Sequence, residues 1–163
     1  MVNSIIRHVD VIHRVVMGKF VEGRLVIVMT VNDGQYYLFE NFLKSCDVNL
    51  SYNVRDHLLL ITTDISSEIK AVRDGNTVIP LRNISNYTTI SPRYNRRAAN
   101  TGTHAVINNV LFVVVNEILK LGYRVLMSDV DVVWLRSPLY YLENFSRNVD
   151  MVCMSTLREK FSR

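Results

Sequence analysis

The chain has 163 residues, 48% of them apolar and 21% charged, with a formal net charge of +4. That composition is globular rather than disordered, and the length is that of one domain or part of a larger one. The positive excess is mild and scattered, with no Lys/Arg block; it argues against nucleic acid as a partner and suits an anionic small ligand.

Residues 1–17, "MVNSIIRHVDVIHRVVM", place Val2, Ile5, Ile6, Val9, Ile12 and Val16 at helical spacing. This predicts an amphipathic helix that packs on the domain rather than on a membrane. No apolar run reaches transmembrane length, and the N-terminus lacks a compact signal-peptide core. We divide the chain into this helix with its linker, residues 1–22, and the domain proper, 23–163.

Residues 25–31, "LVIVMTV", are continuously apolar and rich in β-branched side chains, as a strand buried on both faces should be. "NDG" follows as a turn. A helix is expected over 35–46, with Tyr37, Leu38, Phe42 and Cys46 on or near one face. "HLLLITT", 57–63, reads as a second buried strand that ends at Asp64. "SSEIKAVRDG" reads as a short helix; Asp64 or Ser66 can cap it, Glu68 suits its positive end and Gly75 marks its stop. "TVIPL" is a third strand, placed near an edge because Pro80 cannot donate a ladder hydrogen bond.

Residues 82–103 are polar and irregular, carry Arg93, Arg96 and Arg97, and are long for a plain connection. Over 104–121, "VLFVVV" favours strand by propensity. Yet Asn109, Asn116, Glu117 and Lys120 recur at helical spacing and Gly122 stops the run, so we assign a deeply buried helix. "YRVLMS", 123–128, is the next strand, "SPLYYLENF" a Pro-initiated helical turn, and "VDMVCMS", 149–155, a last short strand. Strands alternating with helices predict an α/β domain with a mostly parallel sheet.

One stretch breaks the pattern. In "LMSDVDVVWLRSPL", 126–139, two aspartates interrupt an apolar run one residue apart. Desolvating a carboxylate costs several kcal/mol, roughly, unless something compensates it. At the C-terminal end of a parallel strand, where open α/β sheets bind ligands, Asp129 and Asp131 share a face. Two like charges so placed call for a cation, and oxygen-only ligands favour Mg²⁺ or Mn²⁺, which complete their shells with water and phosphate. The alternative is a pair of turn-capping aspartates, but a solvated turn is not usually embedded between two apolar runs.

"GYRVLMSDVDVVWLRSPLYYL", Gly122–Leu142, closely resembles the signature of the nucleotide-diphospho-sugar transferase family that includes plant cell-wall xylosyltransferases. "VIVMTVNDGQYYLFENFLKSC" resembles that family's first strand and helix, and "LLLITTD" its second strand. The resemblance covers about residues 25–155. It implies a GT-A fold, a Rossmann-like and mostly parallel sheet, here expected to be incomplete at its C-terminus. It further implies a glycosyltransferase that moves sugar from a nucleotide-diphosphate donor to a glycan, glycoprotein or other hydroxyl acceptor. Asp131 would ligate a Mn²⁺ or Mg²⁺ ion, and Asp129 would bind the ribose or the ion's water shell. Thr30 and Asn32 after the first strand and Asp64 after the second would contact the nucleotide sugar; an ordinary turn for Asn32 and a helix cap for Asp64 are about equally good readings. No catalytic residue is assigned.

Departures from the family pattern are local. Asn108 and Asn109 stand where the family usually has a Lys, and Arg93, Arg96 or Arg97 could replace that phosphate contact. With its acceptor half expected beyond Arg163, the chain as written should bind donor weakly and transfer little sugar. Trp134 is assigned to the core, Arg136 to the surface, and His8, His13, His57 and His104, which lack metal-ligand spacing, to structural roles. Cys46 and Cys153 match no zinc or redox motif and read as two buried free thiols, a disulfide between them being the unsupported alternative. Four N-x-S/T sequons, at Asn49, Asn83, Asn86 and Asn144, together with the resemblance, imply the Golgi or the wider secretory pathway. Two other functions compete: a non-catalytic nucleotide- or metal-binding module, and a Mg²⁺-dependent phosphohydrolase. The second is disfavoured because its aspartates usually sit on the first strand before a small-residue turn.

Overall fold

A computed structural model of the chain describes residues 2–21, 24–84 and 102–145. The expected strand at 149–155, Cys153, Arg93, Arg96 and Arg97 lie outside the described residues, as do the side chains of His8, His104 and Asn108. The described elements are α1 (Val2–Lys19), β1 (Leu25–Val31), α2 (Tyr36–Asn49), β2 (Leu58–Thr62), α3 (Ile65–Arg73), β3 (Thr77–Pro80), α4 (Gly102–Lys120), β4 (Arg124–Met127) and α5 (Pro138–Phe145).

All four strands are parallel, in the order β3-β2-β1-β4. The fold is therefore the expected Rossmann-like α/β sheet, and β3 lies at one edge, where Pro80 costs no ladder bond. Alternation along the strands feeds two cores. Val26, Val28, Leu59, Ile61 and Ile79 turn to one face, under Ile12 and Val16 of α1 and Val114 and Ile118 of α4. Leu25, Ile27, Met29, Leu58 and Leu60 turn to the other, under Phe39, Phe42 and Cys46 of α2 and Ala71 of α3. Every residue of β2 is buried, and each large apolar side chain so placed contributes about 1.5–3 kcal/mol.

Two helix faces differ from the sequence reading. In α2 the buried stripe is Tyr36, Phe39, Phe42, Leu43 and Cys46, while Tyr37 is exposed. A 3-10 turn at Asp33–Gln35 precedes the helix, and counting from Tyr36 in threes and fours gives the true stripe. Cys46 is a buried free thiol, and burial pushes it up to about 11. The helix α4 forms as expected, but it is not deeply buried: Val114 and Ile118 are inside, whereas Phe112, Val113 and Leu119 are exposed. One face of a helix on a sheet meets the core, and among the described residues nothing covers the other.

The first helix is locked to the fourth by polar contacts as well as packing. Glu117, nearly buried, takes Lys120 Nζ at 2.7 Å and His13 Nε2 of α1 at 3.1 Å. The Lys120 hydrogen bond, followed by that of His13, holds the Glu117 carboxyl below its ordinary range. Tyr123, just before β4, donates its hydroxyl to Phe20 O at 3.1 Å and ties the end of α1 to the sheet.

Candidate functional site

Strands β1, β2 and β3 succeed one another in one direction, and β4 returns to the far side of β1. The sheet order therefore reverses between β1 and β4, and in open α/β sheets the crevice above that reversal is where ligands bind. Ser128 N donates to Val28 O at 3.1 Å, and Val28 pairs with Met127. Continuing the register sets Asp129 beside Thr30. The same alternation that sends Val26 and Val28 to the α4 side sends Thr30 and Asp129 there too.

Past Asp129 the chain turns. Val130 is buried in the α2-side core, with Val132 and Trp134 packed against the same cluster, while Asp129, Asp131, Val133 and Leu135 are exposed. Both aspartates are thus exposed, one on each side of buried Val130. Among the described residues neither makes a side-chain hydrogen bond or ion pair, so the turn-capping alternative has no support in the contacts. Trp134 sits edge-on to Phe42 at 5.0 Å, its N–H donates to Ser45 Oγ and its carbonyl accepts from Asn49. These contacts clamp the segment after the aspartates to α2 and fix where the aspartates can be. Arg136 is exposed.

The opposite wall of the crevice is tied down more tightly. Asn32 accepts from Gln35 N at 2.8 Å and donates to Gln35 Oε1 at 3.0 Å, so its side chain caps the turn. Asp64 Oδ1 accepts from Ser67 N at 2.9 Å and caps α3, while Oδ2 accepts from Asp33 N at 2.8 Å. Asp33 pairs with Lys70 at 2.6 Å, and Lys70 lies over the Tyr36 ring at 5.5 Å. Burial and the Tyr36 hydrogen bond to Asp74 raise that phenol above its ordinary value. Of the residues selected by sequence, then, Thr30 is half-buried at the end of β1, and Asp129 and Asp131 are exposed beyond β4. Asn32 and Asp64 spend their side chains on local structure. Thr63, which the sequence reading passed over, has a buried hydroxyl without a hydrogen-bond partner; its only sequence signal was a place next to Asp64.

Two carboxylates, exposed and otherwise unengaged, fit a hard divalent ion that takes its remaining ligands from water and phosphate. No cluster of three or more His, Cys, Asp or Glu side chains able to hold a metal occurs among the described residues, so a caged transition-metal site is not supported there. Two cavities, of about 340 and 390 Å³, open instead at the N-terminal end of the sheet, around Phe20. They lie away from the strand ends that carry the aspartates, and the strand reversal is the stronger guide to the site.

The family model for nucleotide-diphospho-sugar transferases matches residues 53–162. A stretch of 33 residues, 20% of this chain, is 61% identical to the β-arabinofuranosyltransferase RAY1 of Arabidopsis thaliana and amounts to 6% of that protein. Another of 54 residues, 33% of this chain, is 46% identical to the arabinosyltransferase RRA2 of the same plant and amounts to 12% of it. The chain thus matches only a small part of each relative. No solved structure matches, and no helix among the described residues is long and apolar enough to cross a membrane.

Proposed function

The chain belongs to the nucleotide-diphospho-sugar transferase family, and from that premise we propose that it forms the donor side of a metal-dependent glycosyltransferase site. The diphosphate of a nucleotide sugar lies across the C-terminal ends of β1 and β4. Asp129 and Asp131 hold a Mn²⁺ or Mg²⁺ ion there, Asp129 through the ion's water shell or by contact with the ribose. The sugar passes to a hydroxyl on a glycan or glycoprotein.

One observation carries the reading: a family member presents two neighbouring carboxylates, exposed and free of other contacts, where the order of its parallel sheet reverses. When bound, the ion neutralises the diphosphate and stabilises the charge that grows on the leaving nucleotide. The chain's own part is orientation. The Asp64–Asp33–Lys70 contacts hold the β1–α2 turn rigid, Thr30 offers its hydroxyl beside Asp129, and Trp134 anchors the strand exit that carries both aspartates. Both relatives are arabinosyltransferases by name, so arabinose-bearing nucleotides are the first donors to try. The four sequons support a secretory-pathway location.

Calorimetry with a panel of purine and pyrimidine nucleoside diphosphates, with and without Mn²⁺, tests the proposal. Binding that appears with Mn²⁺ and vanishes with a chelator is expected. Absent binding, or binding indifferent to the ion, would refute it. Release of nucleotide from a bound nucleotide sugar then separates an enzyme from a mere binding module.

A further inference from the structure

Residues 128–137 form neither strand nor helix, and both aspartates lie in that span. It is moored at two places. Upstream, Ser128 N donates to Val28 O at 3.1 Å. Downstream, among the described residues, the next main-chain groups bonded to another element are those of Trp134. Its N–H donates to Ser45 Oγ at 3.1 Å, and its carbonyl accepts from Asn49 Nδ2 at 3.1 Å. Both partners are braced on their own helix. Ser45 Oγ donates its proton to Phe42 O at 2.7 Å, which leaves its lone pairs for Trp134 N. Asn49 Nδ2 gives one hydrogen to Ser45 O at 2.9 Å and keeps the other for Trp134 O. At i and i+4 the two side chains stand one above the other on α2, so together they grip the N–H and the C=O of a single residue.

We propose that Ser45 and Asn49 are positioning residues for the ion: through Trp134 they set where Asp131 stands. This rests on the donor-site reading above and extends it to two residues of α2 that act through the backbone. Asp131 is three residues from Trp134, within roughly 10 Å of chain, so it follows any shift there. Buried Val130 and the edge contact of Trp134 with Phe42 hold the segment down, but apolar packing is non-directional and permits sliding. Hydrogen bonds are directional and fix the register. Placement matters because a shift of about 1 Å in a reacting constellation can cost a factor on the order of 100. The two bonds bear more on placement than on stability. Asn49 is exposed, so water replaces its contact with Trp134 O when the side chain is removed.

Ser45→Ala and Asn49→Ala, singly and together in the whole chain, test this by calorimetry with Mn²⁺ and the nucleoside diphosphate that the parent binds best. Alanine is the best helix former, so α2 persists, and either single change should move the melting midpoint by no more than about 3 °C. Mn²⁺-dependent nucleotide affinity should fall about tenfold in the double variant. Each single change should cost about threefold, which carries the test if the double variant melts early. In an Asp131→Asn background the same changes should cost no more than about twofold, since the carboxylate they place is gone. Lys44→Ala, at an exposed neighbour on α2, should bind as the parent does. Parent-like affinity without Ser45 and Asn49, while the parent's binding still depends on Asp131, would overturn the positioning role and leave the donor site standing. An equal loss in both backgrounds would overturn it as well, by showing a general disturbance of the fold. If the parent binds no nucleoside diphosphate with Mn²⁺, the donor-site reading fails first and this one with it.

Discussion

The two flanks of β1 are built differently. On one, β2 is buried along its whole length, α2 and α3 close over it, and the loop above it is stitched by Asp64, Asp33 and Lys70. On the other, β4 has no fully buried residue. Met127, Val133 and Leu135 are 43%, 59% and 75% exposed, and Phe112 and Val113 of α4 are exposed as well. The closed flank does the work of folding and fixes the crevice wall. The open flank carries the two aspartates; exposed apolar side chains occur on both flanks, Val48 of α2 and Ile65, Ile69 and Val72 of α3 included. The two aspartates proposed to hold the ion sit on the half that packing leaves free.

Substitutions should separate the two flanks cleanly. The largest effect belongs to the closed side. Phe42, fully buried, stacked on Phe39 and edge-to-face with Trp134, should cost about 3–5 kcal/mol on replacement by alanine, read as a fall in the denaturation midpoint. A loss under 1 kcal/mol or so would break the claim that this flank holds the fold. Next comes the lock between α1 and α4. Because Glu117 is held below its ordinary range by Lys120 and His13, its charged form favours the folded state. Its contribution is full above the unfolded-state value and is lost as pH falls through the depressed folded value. Stability should therefore drop on acidification through the carboxylate range, and Glu117→Gln should flatten that drop.

A smaller effect is expected at the cap of α3. Asp64→Ala removes a side chain that holds both Ser67 N and Asp33 N, and should cost about 1 kcal/mol, typical of an N-cap. The smallest lies on the open flank. Leu135→Ser should change the stability of the single chain by no more than about 0.5 kcal/mol, read by chemical denaturation. A marked destabilisation would mean that Leu135 is covered after all and that the flanks are not so unlike.

How far the sequence reached followed the same divide. The strands β1 and β2 were legible because burial on both faces demands unbroken apolar runs, and the edge position of β3 because Pro80 forbids a central one. The Asp-x-Asp stretch stood out because charge inside an apolar run needs a reason. Helix faces were harder. Tyr37 was assigned inward since its chemistry allows either side, and only the 3-10 turn at Asp33–Gln35 sets the phase that turns it out. The exposure of Phe112 and Val113 was invisible, because composition tells what can be buried and not whether anything arrives to bury it. The engagement of Asn32 and Asp64 in caps was an open alternative that the contacts decide locally. Thr63 gave no signal beyond its place next to Asp64, since an unmade hydrogen bond has no sequence signature.

The central claim is that Asp129 and Asp131 form the ion-binding end of a donor site on an otherwise rigid wall. Asp131→Asn tests it most directly. The side chain is exposed and touches nothing, so the variant should melt with the parent while Mn²⁺-dependent affinity for a nucleoside diphosphate falls by a factor on the order of 10–100, far more than for Asn32→Ala. Parent-like affinity in Asp131→Asn, with the fold intact, would contradict the account.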